Sequence, residues 1–162
     1  MGGIRLKRIL IDNTCLDTMC TNEEMYRDLS KMYEFCISST IVEELACIPD
    51  EKKEKRIQTF IAFSKAQVKF VSDVVGVIGT SRIGCFRLPD ETAIQVYEAI
   101  LNESKSNKKD AIIAATAVQE NCTLLTNDKK SYLKMKDNKF PVMNFDELCF
   151  VYKKAKEGDF HE

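Results

Sequence analysis

The sequence predicts a three-layer α/β/α domain with a short, mainly parallel central sheet. Three observations carry that expectation. Short apolar runs alternate with helical segments along the chain, the pattern that strands joined by helical crossovers produce. The strand candidates are apolar at consecutive positions, as strands covered on both faces must be. One helix candidate, from Asp110 to Val118, is apolar on nearly all sides and therefore belongs in a core.

In chain order, Leu6 to Ile11 reads as a first strand that stops at Asp12, with two basic residues interleaved. A helix follows, with Thr21 or Asn22 as its N-cap ahead of Glu23 and Glu24. Phe35 to Ile37 is a second short strand, and Ser38-Ser39-Thr40 caps the helix carrying Ile41, Val42 and Leu45. Pro49-Asp50-Glu51 opens another helix, in which Ile57, Phe60, Ile61, Ser64 and Val68 share the spacing of one face. Lys69 to Val75 reads as a strand, but Gly76, Gly79 and Gly84 interrupt the pattern, and Gly79 to Gly84 reads as a loop. Pro89-Asp90-Glu91 starts a helix with Ile94, Tyr97, Ile100 and Leu101 on one stripe. Asn102 to Lys109 is a polar connector, after which Asp110 caps the buried helix. Cys122 to Leu125 is a strand ending at Thr126-Asn127-Asp128; Phe140 to Met143 is the last strand and Phe145 to Lys156 the last helix.

With 162 residues, one domain over residues 1–157 and a tail at 158–162 is expected. A chain of this size buries roughly 70% of its unfolded surface, enough for a core without disulfides or structural metal. Lysine and arginine number 24 and aspartate and glutamate 25, for a net charge of −1, so nucleic acid would have to be held by a local basic patch. The single histidine, His161, stands in the tail, which excludes histidine triads and histidine-rich zinc sites. Seven cysteines without a C-x-x-C pair suit a reducing cytoplasm. No run is long enough for a signal sequence or a membrane span, so no membrane association is expected.

Acids collect where the parallel strands end. Asp12 follows the first strand and Asp128 the strand at 122–125, while Asp110 opens the buried helix and Glu43 and Glu44 lie on the helix after the second strand. Ligands of open α/β sheets bind beyond the carboxyl ends of the strands. Each acid also has a plain structural reading: Asp12 and Asp110 as helix caps, Asp128 as a turn residue. Converging carboxylates repel one another, and a hard divalent cation such as Mg²⁺ or Mn²⁺ removes that repulsion. Such a site suits hydrolysis or transfer at phosphorus.

The segments Lys109 to Ala117 and Cys122 to Asp128, an aspartate opening an alanine-rich helix followed by a short strand and Thr-x-Asp, closely resemble PIN-domain nucleases. Ile9 to Leu16 looks like the first strand of that family, ending in aspartate, and Ile37 to Leu45 looks like its second motif, with Glu44 aligned to the family's glutamate and Glu43 as the alternative. The resemblance implies a PIN-like fold in which Asp12, Glu44, Asp110 and Asp128 hold one or two Mg²⁺ or Mn²⁺ ions, with Thr14 and Thr126 supplying hydroxyls. It implies endoribonuclease activity, leaving 5′-phosphate and 3′-hydroxyl ends. The small stand-alone form is most like VapC-type toxins, which pair with an antitoxin and commonly form homodimers. Asp12-Asn13-Thr14 inverts the usual order of hydroxyl and amide after the first aspartate, and Lys129-Lys130-Ser131 replaces a further acid common among relatives. Residues 70–88 look like a family-specific insertion.

Lys108, Lys109, Lys129 and Lys130 flank two of the acids and are the foremost candidates for phosphate contacts, with Lys7, Arg8, Lys134 and Lys136 also basic and Arg82 a weaker candidate. Tyr26, Tyr33, Phe60 and Phe63 have core or interface spacing rather than that of base-stacking platforms. Two other function classes compete: a non-catalytic RNA-binding or scaffolding PIN domain, and a phosphoacceptor domain, which Asp110 fits poorly.

Overall fold

The computed structural model describes residues 6–74, 87–101 and 108–158. The expected loop at Gly79–Gly84 with Arg82, most of the connector after Leu101 and nearly all of the tail lie outside the described residues.

Five parallel strands form one sheet in the order β3-β2-β1-β4-β5. They are β1 (Lys7–Ile11), β2 (Tyr33–Ser38), β3 (Lys69–Val71), β4 (Cys122–Leu125) and β5 (Val142–Met143). The helices are α1 (Leu16–Thr21), α2 (Glu23–Leu29), α3 (Ser39–Ala46), α4 (Lys53–Lys65), α5 (Glu91–Leu101), α6 (Lys108–Gln119), α7 (Lys129–Asp137) and α8 (Phe145–Gly158). The chain runs outward from β1 to β3, then returns to the other side of β1 for β4 and β5. Right-handed crossovers send the connections of the two halves to opposite faces of the sheet. The helix contacts agree, since α1 and α2 pack on α4, whereas α5 packs on α6 and α7. The strand order therefore reverses between β1 and β4, which is where a doubly wound sheet opens a crevice.

The central strands are as apolar in place as in sequence. Ile9, Leu10 and Ile11 of β1 are at most 1% exposed, and Leu124 and Leu125 of β4 pack beside them. Every residue of α6 from Ala111 to Ala117 is buried, which accounts for a helix with no polar face. This helix starts at Lys108, so Asp110 sits within its first turn rather than capping it.

One helix packs through a different face from the one its spacing suggests, and in a second, whose Ile100, Tyr97 and Leu101 pack on the core as expected, the face is shifted. In α4 the buried residues are Thr59, Ala62 and Phe63, while Ile57, Phe60 and Ile61 face outward. In α5 they are Ala93, Val96 and Ile100, and Ile94 is exposed. Small side chains such as Ala62 and Ala93 let the neighbouring helix approach closely, so the tighter-packing stripe wins over the more apolar one. The last strand is shorter than expected: Phe140 bonds back to Met135, and Pro141, which has no N–H, contributes only its carbonyl to β4. Among the described residues no helix is long and apolar enough to cross a membrane.

Candidate active site

The crevice between β1 and β4 is built outward from Asp12. Its backbone N–H continues the β1–β4 ladder by donating to Leu125 O at 2.9 Å, fixing Asp12 at the mouth of the sheet. Asp12 is 7% exposed and its Oδ2 accepts two hydroxyl hydrogen bonds, from Thr14 at 2.7 Å and from Thr126 at 2.8 Å. Thr126 is fully buried, and its hydroxyl also accepts from the backbone N–H of Asp128 at 3.1 Å. Thr14 accepts in turn from the N–H of Asn127 at 2.9 Å. The two loops that follow β1 and β4 are thus laced together, and the Asp12 carboxylate cannot rotate freely. Its Oδ1 accepts no bond among the described residues.

Asp128 is the N-cap of α7. Its Oδ1 accepts from the Ser131 N–H at 2.7 Å, so the turn role and a place at the crevice coexist in one side chain. Asp110 enters from the first turn of α6, where the helix dipole favours a negative charge. Its carboxyl is nevertheless pushed up to about 6: burial raises it most, then the charges of Asp12, Asp128 and Glu44, with Lys109 opposing. Asp12, Asp128 and Glu44 therefore all act on Asp110 electrostatically, although they come from separate segments.

Glu44 is reached by Lys109, whose Nζ lies 3.1 Å from Glu44 Oε1. Glu43 instead makes itself felt at Asp73, an acid that sequence reasoning did not single out. Asp73 is buried and its Oδ2 accepts from both the backbone N–H and the hydroxyl of Thr40, each at 3.0 Å. It caps the first turn of α3 from the neighbouring strand edge, and burial pushes its carboxyl above the usual range. A cap supplied from 33 residues away leaves no local sequence signal.

Of the basic candidates, Lys129 and Lys130 are exposed at the start of α7, and Lys108 is half-buried at the start of α6. Lys109 spends its charge on Glu44. Arg8 serves no phosphate: it pairs with Glu34 and Glu120, each at 2.9 Å, toward the other end of the strands. Lys134 donates to the Ile100 carbonyl, and Lys136 to the Tyr132 hydroxyl.

The fit to a divalent cation can be judged from this geometry. Asp12, Asp110, Thr126 and Ser131, with the apolar Ile113 and Leu124, line a crevice of about 10 Å³, the room needed by one water-sized occupant, and neither Glu44 nor Asp128 is in its lining. Its donors are oxygens, the preference of a hard ion. The acids stand apart: among the described residues no three acidic, cysteine or histidine side chains are close enough to hold one ion. The oxygen donors fit, and a cation would have to draw them inward.

The PIN domain pattern matches residues 21–138, more than two thirds of the chain. This protein belongs to the PIN domain family. Asp12 precedes the matched range, whereas Glu44, Asp110 and Asp128 fall within it. The PIN fold is shared with VapBC2 from Rickettsia felis, a structure bound to a DNA fragment from its promoter, at 18% identity and a TM-score of 0.54, covering 85% of this chain and 98% of that one. It is shared with PAE2754 from Pyrobaculum aerophilum at 14% identity and a TM-score of 0.61, covering 94% and 99%. A domain from Methanocaldococcus jannaschii superposes with a TM-score of 0.54 at 22% identity, over 86% of this chain and 91% of that one. Likeness at such identities speaks for the fold. No curated protein matches the sequence.

Proposed function

We propose that this PIN domain is a metal-dependent endoribonuclease that hydrolyses RNA phosphodiester bonds, leaving 5′-phosphate and 3′-hydroxyl ends. The observation that carries the reading is the crevice lined by Asp12 and Asp110, where Thr14 and Thr126 hold Oδ2 of Asp12. A fold gains nothing from setting two carboxylates, Asp12 and Asp110, at one crevice, whereas a catalytic site uses them. Mg²⁺ or Mn²⁺ held by Asp12, Glu44, Asp110 and Asp128 would neutralise these charges and lower the pKa of an attacking water.

The rest follows from the chain's own residues. Thr14 and Thr126 turn Oδ2 of Asp12 inward and leave Oδ1 for the occupant of the crevice. Among the described residues the crevice offers carboxylates alone as proton acceptors, so they receive the proton of the attacking water. Lys108, Lys129 and Lys130 stand within two residues of Asp110 and Asp128 in the chain and would neutralise phosphates on either side of the scissile bond. Lys109 can leave Glu44 for a phosphate once another cation occupies the site.

The test is cleavage of a mixed RNA pool with Mg²⁺ or Mn²⁺, wild type beside Asp110→Asn, with and without EDTA. Cleavage that disappears in the variant and with EDTA supports the reading. Equal cleavage by both proteins overturns the assigned site, and metal binding without cleavage of any RNA favours a binding or scaffolding domain.

The same proposal extends to partners. The likeness to VapBC2 supports an antitoxin that covers the crevice, and the outward stripe of Ile57, Phe60 and Ile61 on α4 supports a protein partner, either antitoxin or a second copy in a homodimer. Light scattering across protein concentrations checks the homodimer; a monomer throughout removes it. The six described cysteines are free thiols, in keeping with a reducing cytoplasm.

A further inference from the structure

Beside the acidic crevice lies a larger cavity of about 490 Å³, within the size range of small-ligand sites. Thr126 is the wall between the two: its hydroxyl donates to Asp12 on one side, and the residue lines the cavity on the other. The cavity is formed by the start of α7 and the start of α8. Tyr132, Leu133 and Phe145 supply apolar surface, with Leu133 55% exposed although nothing covers it among the described residues.

The polar groups of this cavity are oriented. Asn127 Oδ1 accepts from the Phe145 N–H at 3.1 Å, and Asn144 Oδ1 accepts from the Glu147 N–H at 2.9 Å. Both amide oxygens are engaged, which leaves the two NH₂ groups as donors. Asp146 lines the same cavity and is exposed, with no hydrogen bond or ion pair among the described residues, so its carboxylate is an open acceptor. Lys129 also lines the cavity and supplies a cation for a phosphate.

We propose that this cavity is a guanine-binding subsite for the RNA strand that crosses the acidic crevice, an inference that rests on the ribonuclease reading. A single-stranded base splays out and lies against aromatic or apolar side chains, as Tyr132, Phe145 and Leu133 permit. Guanine alone among the common bases offers carbonyl and ring-nitrogen acceptors, O6 and N7, next to an N1–H and N2–H₂ donor edge. The acceptors suit Asn127 and Asn144, and the donor edge suits Asp146. Adenine places an amino group where the amides need an acceptor and a bare N1 where the carboxylate needs a donor. A site that bonds one pattern rejects the other because its own polar groups are left unpaired.

The experiment is calorimetric or NMR binding of 5′-GMP and 5′-AMP to the full chain in EDTA, where hydrolysis plays no part. The expected result is GMP binding at least about tenfold tighter than AMP, with the preference lost in Asp146→Asn, an exposed substitution that leaves the fold intact by circular dichroism. Asn127→Ala should weaken GMP by a comparable factor. Equal affinity for both nucleotides, binding of neither at millimolar concentration, or a GMP preference that survives Asp146→Asn would each overturn the proposal. The ribonuclease reading is scored separately by the cleavage assay. A guanine preference without cleavage keeps the subsite and removes the nuclease, and cleavage without the preference does the reverse.

Discussion

Replacing Asp110 by asparagine should make the metal-free protein more stable while abolishing its activity. Asp110 rises from 3.8 to about 6 in the folded chain. An acid whose folded pKa is raised binds its proton more tightly folded than unfolded, so its contribution to stability is present at low pH and is lost as pH rises toward and through about 6. At about 1.4 kcal/mol per pH unit, the full shift is worth about 3 kcal/mol for a group sealed from solvent. Asp110 has an exposed face, and screening reduces this to about 1 kcal/mol. For a domain of this size that is a gain of about 2–4 °C in melting temperature for Asp110→Asn near pH 7.5. The gain should shrink as pH falls through about 6, to about a third by about pH 4.5, and vanish only below 3.8, where Asp110 is protonated folded and unfolded alike. Thermal denaturation followed by circular dichroism in EDTA at both pH values measures this directly. Adding Mg²⁺ or Mn²⁺ should reverse the order: an ion at about 100 times its Kd stabilises the wild type by about 2.7 kcal/mol and the variant by less. An Asp110→Asn protein less stable than wild type near pH 7.5 without metal, or equally stabilised at both pH values, would refute the mutual repulsion from which the site is argued.

Thr126→Val keeps the shape of the buried side chain but removes the hydroxyl that holds Asp12 and receives the Asp128 N–H; cleavage should fall about 10- to 100-fold at saturating metal, measured as kcat. Lys109→Met removes the ammonium group 3.1 Å from Glu44, and a Mn²⁺ titration should show about twofold to fivefold tighter binding; weaker binding would mean that Lys109 supports the site rather than competes for it. Arg8→Met leaves Glu34 without its cation and Glu120 with Arg87 alone, for a loss of about 1 kcal/mol read as a melting temperature lower by about 2–4 °C. Specific activity of the folded Arg8→Met protein should be unchanged, because that cluster lies away from the crevice.

The parts of the fold that could be read from sequence were those where composition leaves one solution. Ile9-Leu10-Ile11 and Cys122 to Leu125 have no polar side to give to water, so they lie at the centre of the sheet. The same holds for α6, whose alanine-rich surface fits only between other elements. What resisted reading were choices between two apolar faces of one helix. Spacing marks Ile57, Phe60 and Ile61 as a stripe but carries no information about how near α1 and α2 come, and Ala62 and Phe63 decide that. At the candidate site, acids next to strand ends were legible because a parallel sheet places all its carboxyl ends on one edge. Asp73 was not legible, since its partner is Thr40 on another segment. Tyr132, Phe145 and Asp146 were not either: they are ordinary helix residues until β5 places the start of α8 against α7.

The position of the crevice follows from strand order more than from any motif. A sheet that grew in one direction from β1 would put the end of that strand beneath the same layer of connections as its neighbours. Because β4 returns to the opposite side of β1, the loops after Ile11 and Leu125 leave toward opposite faces and open a gap between them. Asp12 and Thr126 are the first residues past those two strand ends, and the 2.8 Å bond between them spans the gap. The floor below is apolar, with Leu10, Leu125 and Ala114 fully buried, so charges at the gap are weakly screened from that side. Charges gathered at such a place act strongly on one another, which is why Asp110 can be raised even on a helix N-terminal turn that should lower it. Burial and repulsion outweigh the dipole there, and that imbalance is what a cation of the right size would relieve.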